Sequence, residues 1–306
     1  MSNAFVQLSL TPILIGVLAA CACALPGNFL VLRRQSLIGD AISHVVLPGI
    51  VAAFLLTGSL SAGPMLAGAA AAAIVAVGLI ELIRRLGRIE PGAAMGVVFT
   101  TLFAAGVLLL EQSDTSNVHL DVEHALYGNL ESLIWLRGTS WAALADPAAL
   151  ADLPPQLGRL ALVLLAMAAF TAVFWKELVI GTFDAAFAAS IGARPGAVGF
   201  GLVVMVAVAA VAAFDAVGSI IVIAMFICPP AAARMMTDRM VPQIGWSLGF
   251  AAAAAVSGYV LAGYGPMWFG GANSVSAAGM IAAVSGLILA VAALAGPRRR
   301  GSRAAA

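Results

Sequence analysis

The sequence predicts an all-α, polytopic transmembrane helix bundle of about eight to nine spans, folded as one domain over residues 1–306. Three observations predict it. Hydrophobic residues make up 62% of the chain and the mean hydropathy is +1.06. Only 9% of residues are charged, against roughly 25% in a soluble domain. The charges are also clumped, since residues 1–32, 91–110, 160–175, 195–214, 216–233 and 240–297 contain no Asp, Glu, Lys or Arg. Each such run is about one bilayer crossing of roughly 20 residues, or long enough for two. An ordinary soluble enzyme, a disordered chain and a nucleic-acid binder are excluded, because none can present so few charges to water or phosphate.

Taken in order, the first span covers residues 10–32 and ends at Arg33 and Arg34. Its Leu18-Ala19-Ala20-Cys21 run has the small-residue pattern that precedes a lipidated cysteine. No cation precedes it, so it reads as a retained span. Spans follow at 36–57 and 61–83, the latter closed by Arg84, Arg85 and Arg88. The fourth, 92–110, leads into an acidic loop, and the fifth covers 157–177. Residues 196–214 and 216–234 flank Phe214-Asp215-Ala216-Val217-Gly218. As a single helix they would run about 60 Å, roughly twice the hydrocarbon thickness. A hairpin at Asp215 is therefore expected. Spans at 245–263 and 275–296 complete the bundle before a basic tail at 297–306, which reads as an anchor at an anionic leaflet.

All but two of the 15 cations, Arg137 and Arg159, then fall on one side of the membrane. The other side holds Glu111, Asp114, Asp121, Glu123, Glu131, Asp146 and Asp152. The positive-inside rule puts the N-terminus outside and the C-terminus in the cytoplasm. The Asp215 hairpin fits this arrangement, because Arg194 and Arg234 share a side only if two spans lie between them.

The second span carries the most informative chemistry. Asp40 and His44 are one turn apart on one helix face, where a carboxylate and an imidazole can converge on one ion. Counted from the arginines at about 1.5 Å per residue, they lie roughly 9 and 15 Å deep. Ionisable groups in hydrocarbon are costly and mark pathways. One reading is a transient site for a divalent metal, since mixed oxygen and nitrogen ligands suit manganese, iron or zinc. The other is an internal pair that only packs helices together. Two ligands make an open site, and a second copy across a two-fold axis would complete it, which favours a homodimer. Pro48 and Gly49 lie just beyond, where they can bend the helix.

Between spans, Phe183-Asp184-Ala185-Ala186-Phe187-Ala188-Ala189-Ser190-Ile191-Gly192 reads as a short helix over 183–192. Asp184 can cap it, Phe187 and Ile191 share a face, and Gly192 ends it. A plain connector and a partner-docking element fit it equally. The acidic loop holds His119 and His124 beside Asp121 and Glu123. That set could hand a cation inward or could simply be solvated polarity. Cys21, Cys23 and Cys228 fall within spans and read as apolar filler.

The chain's one lysine, Lys176, follows Trp175, so no phosphate-binding G-x-x-x-x-G-K-[ST] loop exists and the chain is not itself an ATPase of that kind. No His-Glu-x-x-His motif occurs. Cys228-Pro229-Pro230 is similar to the Cys-Pro pair of heavy-metal pumps, but the chain has no room for their soluble ATP-binding domains.

Arg33-Arg34 through Gly39-Asp40-Ala41-Ile42-Ser43-His44 and Leu47-Pro48-Gly49 resembles the signature of the integral membrane permeases of ATP-binding-cassette importers for manganese, zinc and iron. Leu126-Tyr127-Gly128-Asn129-Leu130, then Phe183-Asp184 with Ala188 and Gly192, then Pro229-Pro230-Ala231-Ala232-Ala233-Arg234 follow in the family's order. The resemblance extends from about residue 12 to 296. It implies a type II importer permease of the bacterial inner membrane, working as a homodimer with cytoplasmic ATPase subunits. An extracytoplasmic solute-binding protein would deliver the ion, and no permanent cofactor is implied. The family's metal ligands carry over onto Asp40 and His44, and its ATPase-coupling helix onto Phe183, Asp184, Phe187, Ala188 and Gly192. Cys228 departs from the family, whose members more often carry a non-thiol there. The expected function is ATP-driven divalent-metal import by alternating access. The alternatives are a proton-coupled secondary metal carrier, against which the lack of a clear internal repeat counts, and a membrane scaffold.

Overall fold

The computed structural model describes residues 5–59, 62–112, 130–268, 270 and 275–297. The features expected at His119, His124, Leu126-Tyr127-Gly128-Asn129 and the tail from Arg298 onward lie outside the described residues. A π-helical turn at Val6–Leu10 runs into α1 (Thr11–Leu32), followed by α2 (Leu37–Thr57), α3 (Ala62–Gly87) and α4 (Pro91–Gln112). Two 3-10 turns, Leu130–Ser132 and Trp141–Ala145, and the short α5 (Pro147–Leu150) follow. The chain continues through α6 (Pro155–Val173), α7 (Trp175–Phe183), α8 (Ala185–Ser190), α9 (Pro195–Met236), α10 (Met240–Trp268) and α11 (Ala277–Ala295). Among the described residues there is no strand, and nine segments are long and apolar enough to cross a membrane, two of them within α9.

α1 is the hub. It is apolar on every side, and Ile15, Ala19, Cys23, Pro26 and Phe29 are all buried while Leu14 is exposed. It packs against α9, α10 and α6. A polar link crosses from it to α10, where Gln243 Nε2 donates to Asn28 Oδ1 at 3.2 Å while Asn28 Nδ2 donates to the Ala24 carbonyl at 2.8 Å.

The expected hairpin is present, and it turns at Gly218 rather than Asp215. Gly218 has φ 75° and ψ 170°, a region that only glycine enters readily. Pro195 and Gly199, at the start of α9, approach Gly181 and Arg33. Phe226 and Pro230, in its second half, press against Gly27 and Gly39 at the same end of the bundle. A straight helix would separate these two groups by about 40 Å, so the chain doubles back. The end of α11 joins them, since Gly296 lies against Met235. The opposite end holds Tyr259, whose hydroxyl donates to the Leu8 carbonyl at 3.2 Å.

Small residues seat α2. A Cβ on Gly49 would stand 2.6 Å from the Gly68 carbonyl oxygen of α3, and one on Gly106 of α4 would stand 2.5 Å from Pro48 Cβ. One on Gly39 would meet Phe226 Cδ2 at 2.7 Å. In lipid, where apolar side chains gain little by leaving solvent, such backbone-close contacts are what hold helices together.

Two boundaries differ from expectation. The fifth span ends at Val173 and Phe174 breaks it with φ −97° and ψ 21°, after which α7 starts at once. α10 is longer than the expected 245–263, running from Met240 to Trp268, and Gln243 lies buried inside it with its Nε2 donating to Asn28.

Gly218→Ala is expected to cost about 1–3 kcal/mol of stability by forcing a side chain into this conformation, read as a lower midpoint of thermal unfolding in detergent. Gly245→Ala, where a Cβ meets nothing within 4 Å, should leave the midpoint unchanged or raise it.

Candidate functional site

The arginine pair before α2 forms a tight turn. Gln35 N–H donates to the Leu30 carbonyl at 2.8 Å and Arg34 N–H to Val31 at 3.2 Å. This is the Schellman pattern that closes helices, built here with Arg34 at φ 57° in place of glycine. Ile38 N–H then donates to the Gln35 carbonyl at 3.0 Å and α2 begins. Because the turn consumes residues 33–36, the depth counted from the arginines shrinks. From Leu37, the first residue of α2, Asp40 lies about 5 Å and His44 about 10 Å along the axis.

Asp40 and His44 do meet. His44 Nε2 stands 3.3 Å from Asp40 Oδ1, and the two side chains are 34% and 29% exposed in the single chain. That contact serves an internal pair as well as a two-point chelate. Its partial exposure on a helix otherwise packed against α3, α4 and α9 leaves one side of the pair open. α4 fixes the imidazole. Phe99 stacks on His44 with centroids 5.4 Å apart and planes 24° apart, and Phe103 meets it edge-on at 5.7 Å. These two phenylalanines are absent from the sequence-based site, although their four-residue spacing within a span of mostly small residues puts them on one helix face. Among the described residues, no three His, Cys, Asp or Glu side chains converge. The thiols are free, Cys23 buried and Cys21 and Cys228 half-buried.

At the Arg33 end lies the short helix expected over 183–192. Phe183 proves to be the last residue of α7, and the short helix itself is α8, from Ala185 to Ser190. Its boundary is set by Asp184, whose Oδ1 accepts the Phe187 N–H at 2.8 Å. Gly192, at φ 82°, ends it. The Ala193 N–H donates to the Ala188 carbonyl at 3.0 Å and Gly192 N–H to Ala189 at 3.1 Å, a second Schellman closure. Ala188 is buried against the bundle, whereas Phe183, Phe187 and Ile191 are 58%, 53% and 54% exposed. Three large exposed apolar side chains, Phe187 on the capped helix and Phe183 and Ile191 flanking it, form a surface suited to a protein partner.

At the opposite end, Glu131 Oε1 accepts the Ala277 N–H at 2.6 Å, capping α11. Trp135 is buried with its indole donating to the Ala149 carbonyl at 2.8 Å. The segment around Glu131 is therefore tied to the bundle by specific contacts.

The family model for the ABC 3 transport family matches residues 6–134 and 154–295. The manganese transport system membrane protein MntD of Bacillus subtilis is 39% identical over 282 residues, covering 92% of this chain and 90% of MntD. The zinc transport system membrane protein TroD of Treponema pallidum is 41% identical over 217 residues, covering 71% of this chain and 57% of TroD. The solved structure of PsaBC from Streptococcus pneumoniae in complex with Fab aligns with a TM-score of 0.73 at 25% identity, covering 95% of this chain and 92% of that chain.

Asp184→Ala should cost α8 about 0.5–2 kcal/mol by removing its cap, whereas Asp184→Asn should restore most of it. Amide hydrogen exchange across Ala185–Ser190 checks this, with faster exchange expected in the alanine variant.

Proposed function

The chain belongs to the ABC 3 transport family, and from that premise we propose that it is the membrane permease of an ATP-driven importer for a divalent transition metal, manganese, zinc or iron. The observation that carries the reading to chemistry is the Asp40–His44 contact, one carboxylate and one imidazole within 3.3 Å on a single helix face. Oxygen and nitrogen donors without thiolate suit such ions. The relatives named for manganese and zinc transport support the same substrate class.

In this account the ion is the cargo, held briefly by Asp40 and His44. Two ligands per chain make a weak, open site, and a second copy facing the exposed side of α2 supplies two more. The functional unit is then a homodimer with the pathway between the protomers. Weakness serves transport, since a closed four-ligand cage would hold its ion too firmly to release it. Pro48, packed on Gly106, lies one turn beyond His44, where a proline-bearing helix can bend.

ATP is hydrolysed by a separate cytoplasmic subunit, which docks on Phe183, Phe187 and Ile191 around α8. Asp184, Ala188 and Gly192 shape that helix. An extracytoplasmic solute-binding protein delivers the ion at the other face. The N-terminus lies outside and the C-terminus in the cytoplasm of a bacterial inner membrane, as the cation asymmetry supports. Alternating access follows when nucleotide-driven movement at α8 opens one end of the pathway and closes the other.

Vesicles holding the permease, its ATPase and its loaded binding protein should take up manganese or zinc only when ATP is present. His44→Ala should lower that uptake by at least about tenfold, as expected for loss of a metal contact. Uptake by the chain alone, driven by a proton gradient, would make it a secondary carrier instead. Full uptake by His44→Ala would assign the pair to packing. Light scattering of the purified chain should give a mass of two copies, and a single copy would remove the homodimer from the account.

A further inference from the structure

We propose that Arg33 is the positioning residue that links the ATPase-facing helix to the metal-bearing helix. The proposal rests on the reading just given of α8 as docking surface and of Asp40 and His44 as transit site. It adds the route between them.

The route is short and has little slack. Arg33 caps α1 and opens the turn into α2, and that turn is closed by its own hydrogen bonds with Arg34 at positive φ. A non-glycine residue in that conformation costs roughly 1–2 kcal/mol, so the surrounding contacts hold the turn in one shape. From the turn, Arg33 reaches across to α7. Its Nε donates to Thr182 Oγ1 at 2.9 Å and its Nη2 to the Leu178 carbonyl at 3.5 Å. Thr182 immediately precedes Phe183 and the Asp184 cap of α8. Thus one side chain ties the turn that leads into α2 to the last turns of α7, two residues before the Asp184 cap of α8.

The seat of the guanidinium fits a flat group. A Cβ on Gly199 would stand 3.0 Å from Arg33 Nη1, and one on Gly181 3.9 Å from Nη2. Burial lowers the pKa of Arg33 from the usual guanidinium value, because removal from water disfavours the charged form. Beside the seat is a cleft of about 380 Å³, bounded by Ile38 of α2, Thr182, Ala185 and the ion-paired Glu81 and Arg84 of α3. Ala185 is the first residue of α8 and Ile38 the second of α2, so the space is bounded by the starts of both helices. A lysine could keep the charge but not the two-pronged contact.

The test uses the complete transporter in vesicles and reads metal ions imported per ATP hydrolysed, a ratio insensitive to the fraction of folded protein. Thr182→Val removes the acceptor at nearly constant shape. Gly199→Ala pushes a methyl into the guanidinium seat. Both should hydrolyse ATP at near the unsubstituted rate while importing on the order of tenfold fewer ions per ATP, as expected for loss of a charged hydrogen bond. Thr182→Ser, which keeps the hydroxyl, should restore the ratio. An unchanged ratio in both variants, or failure of Thr182→Ser to restore it, overturns the proposal. His44→Ala run in parallel separates the layers. If unsubstituted uptake needs both ATP and His44 while Thr182→Val and Gly199→Ala keep the normal ratio, the linkage alone fails. If uptake needs neither, the transit-site reading fails and takes the linkage with it.

Discussion

A carboxylate and an imidazole one turn apart inside an apolar bundle are costly to bury, and that cost is the constraint around which the structure is arranged. The two groups touch at 3.3 Å, so neither faces hydrocarbon alone. Phe99 and Phe103 wall the imidazole on one side. The opposite side of the pair is left partly exposed in the single chain. A helix carrying such groups cannot be positioned by general apolar burial, because lipid offers the same burial everywhere. It is positioned by shape: a Cβ added at Gly39, at Gly49, or at Gly106 facing Pro48 would collide with its neighbour.

Much of this was legible in the sequence, and for one reason. Charges are nearly absent where the chain crosses lipid, so the charge-free runs outlined the spans and the arginines set their ends. The doubling of α9 was legible from length alone. The turn's location at Gly218 was not, since it depends on a backbone angle rather than on the charge of Asp215. The break at Phe174 was invisible because residues on both sides of it are apolar, and hydropathy does not distinguish a span from a continuation lying beside it. Asp184 and Gly192 were readable as cap and stop because their roles are local. Phe99 and Phe103 were not readable, since their role comes from α4 packing on α2, which no local pattern states.

The two ends of the bundle are built differently. Near Arg33 the chain gathers two Schellman turns, an exposed capped helix and a cleft. At the other end, Glu131 caps α11, Trp135 is anchored to Ala149, and Tyr259 reaches Leu8. The Asp40–His44 pair sits nearer the Arg33 end than a residue count suggests, because residues 33–36 turn rather than climb.

The central claim is that Asp40 and His44 hold the transported ion, and the most direct measurement is X-ray absorption at the metal edge of the assembled transporter loaded with manganese or zinc. The account predicts imidazole nitrogen and carboxylate oxygen in the first coordination sphere, with one ion per two permease chains, and loss of the imidazole signal in His44→Ala. An unchanged spectrum in His44→Ala, or coordination dominated by sulfur, would contradict it.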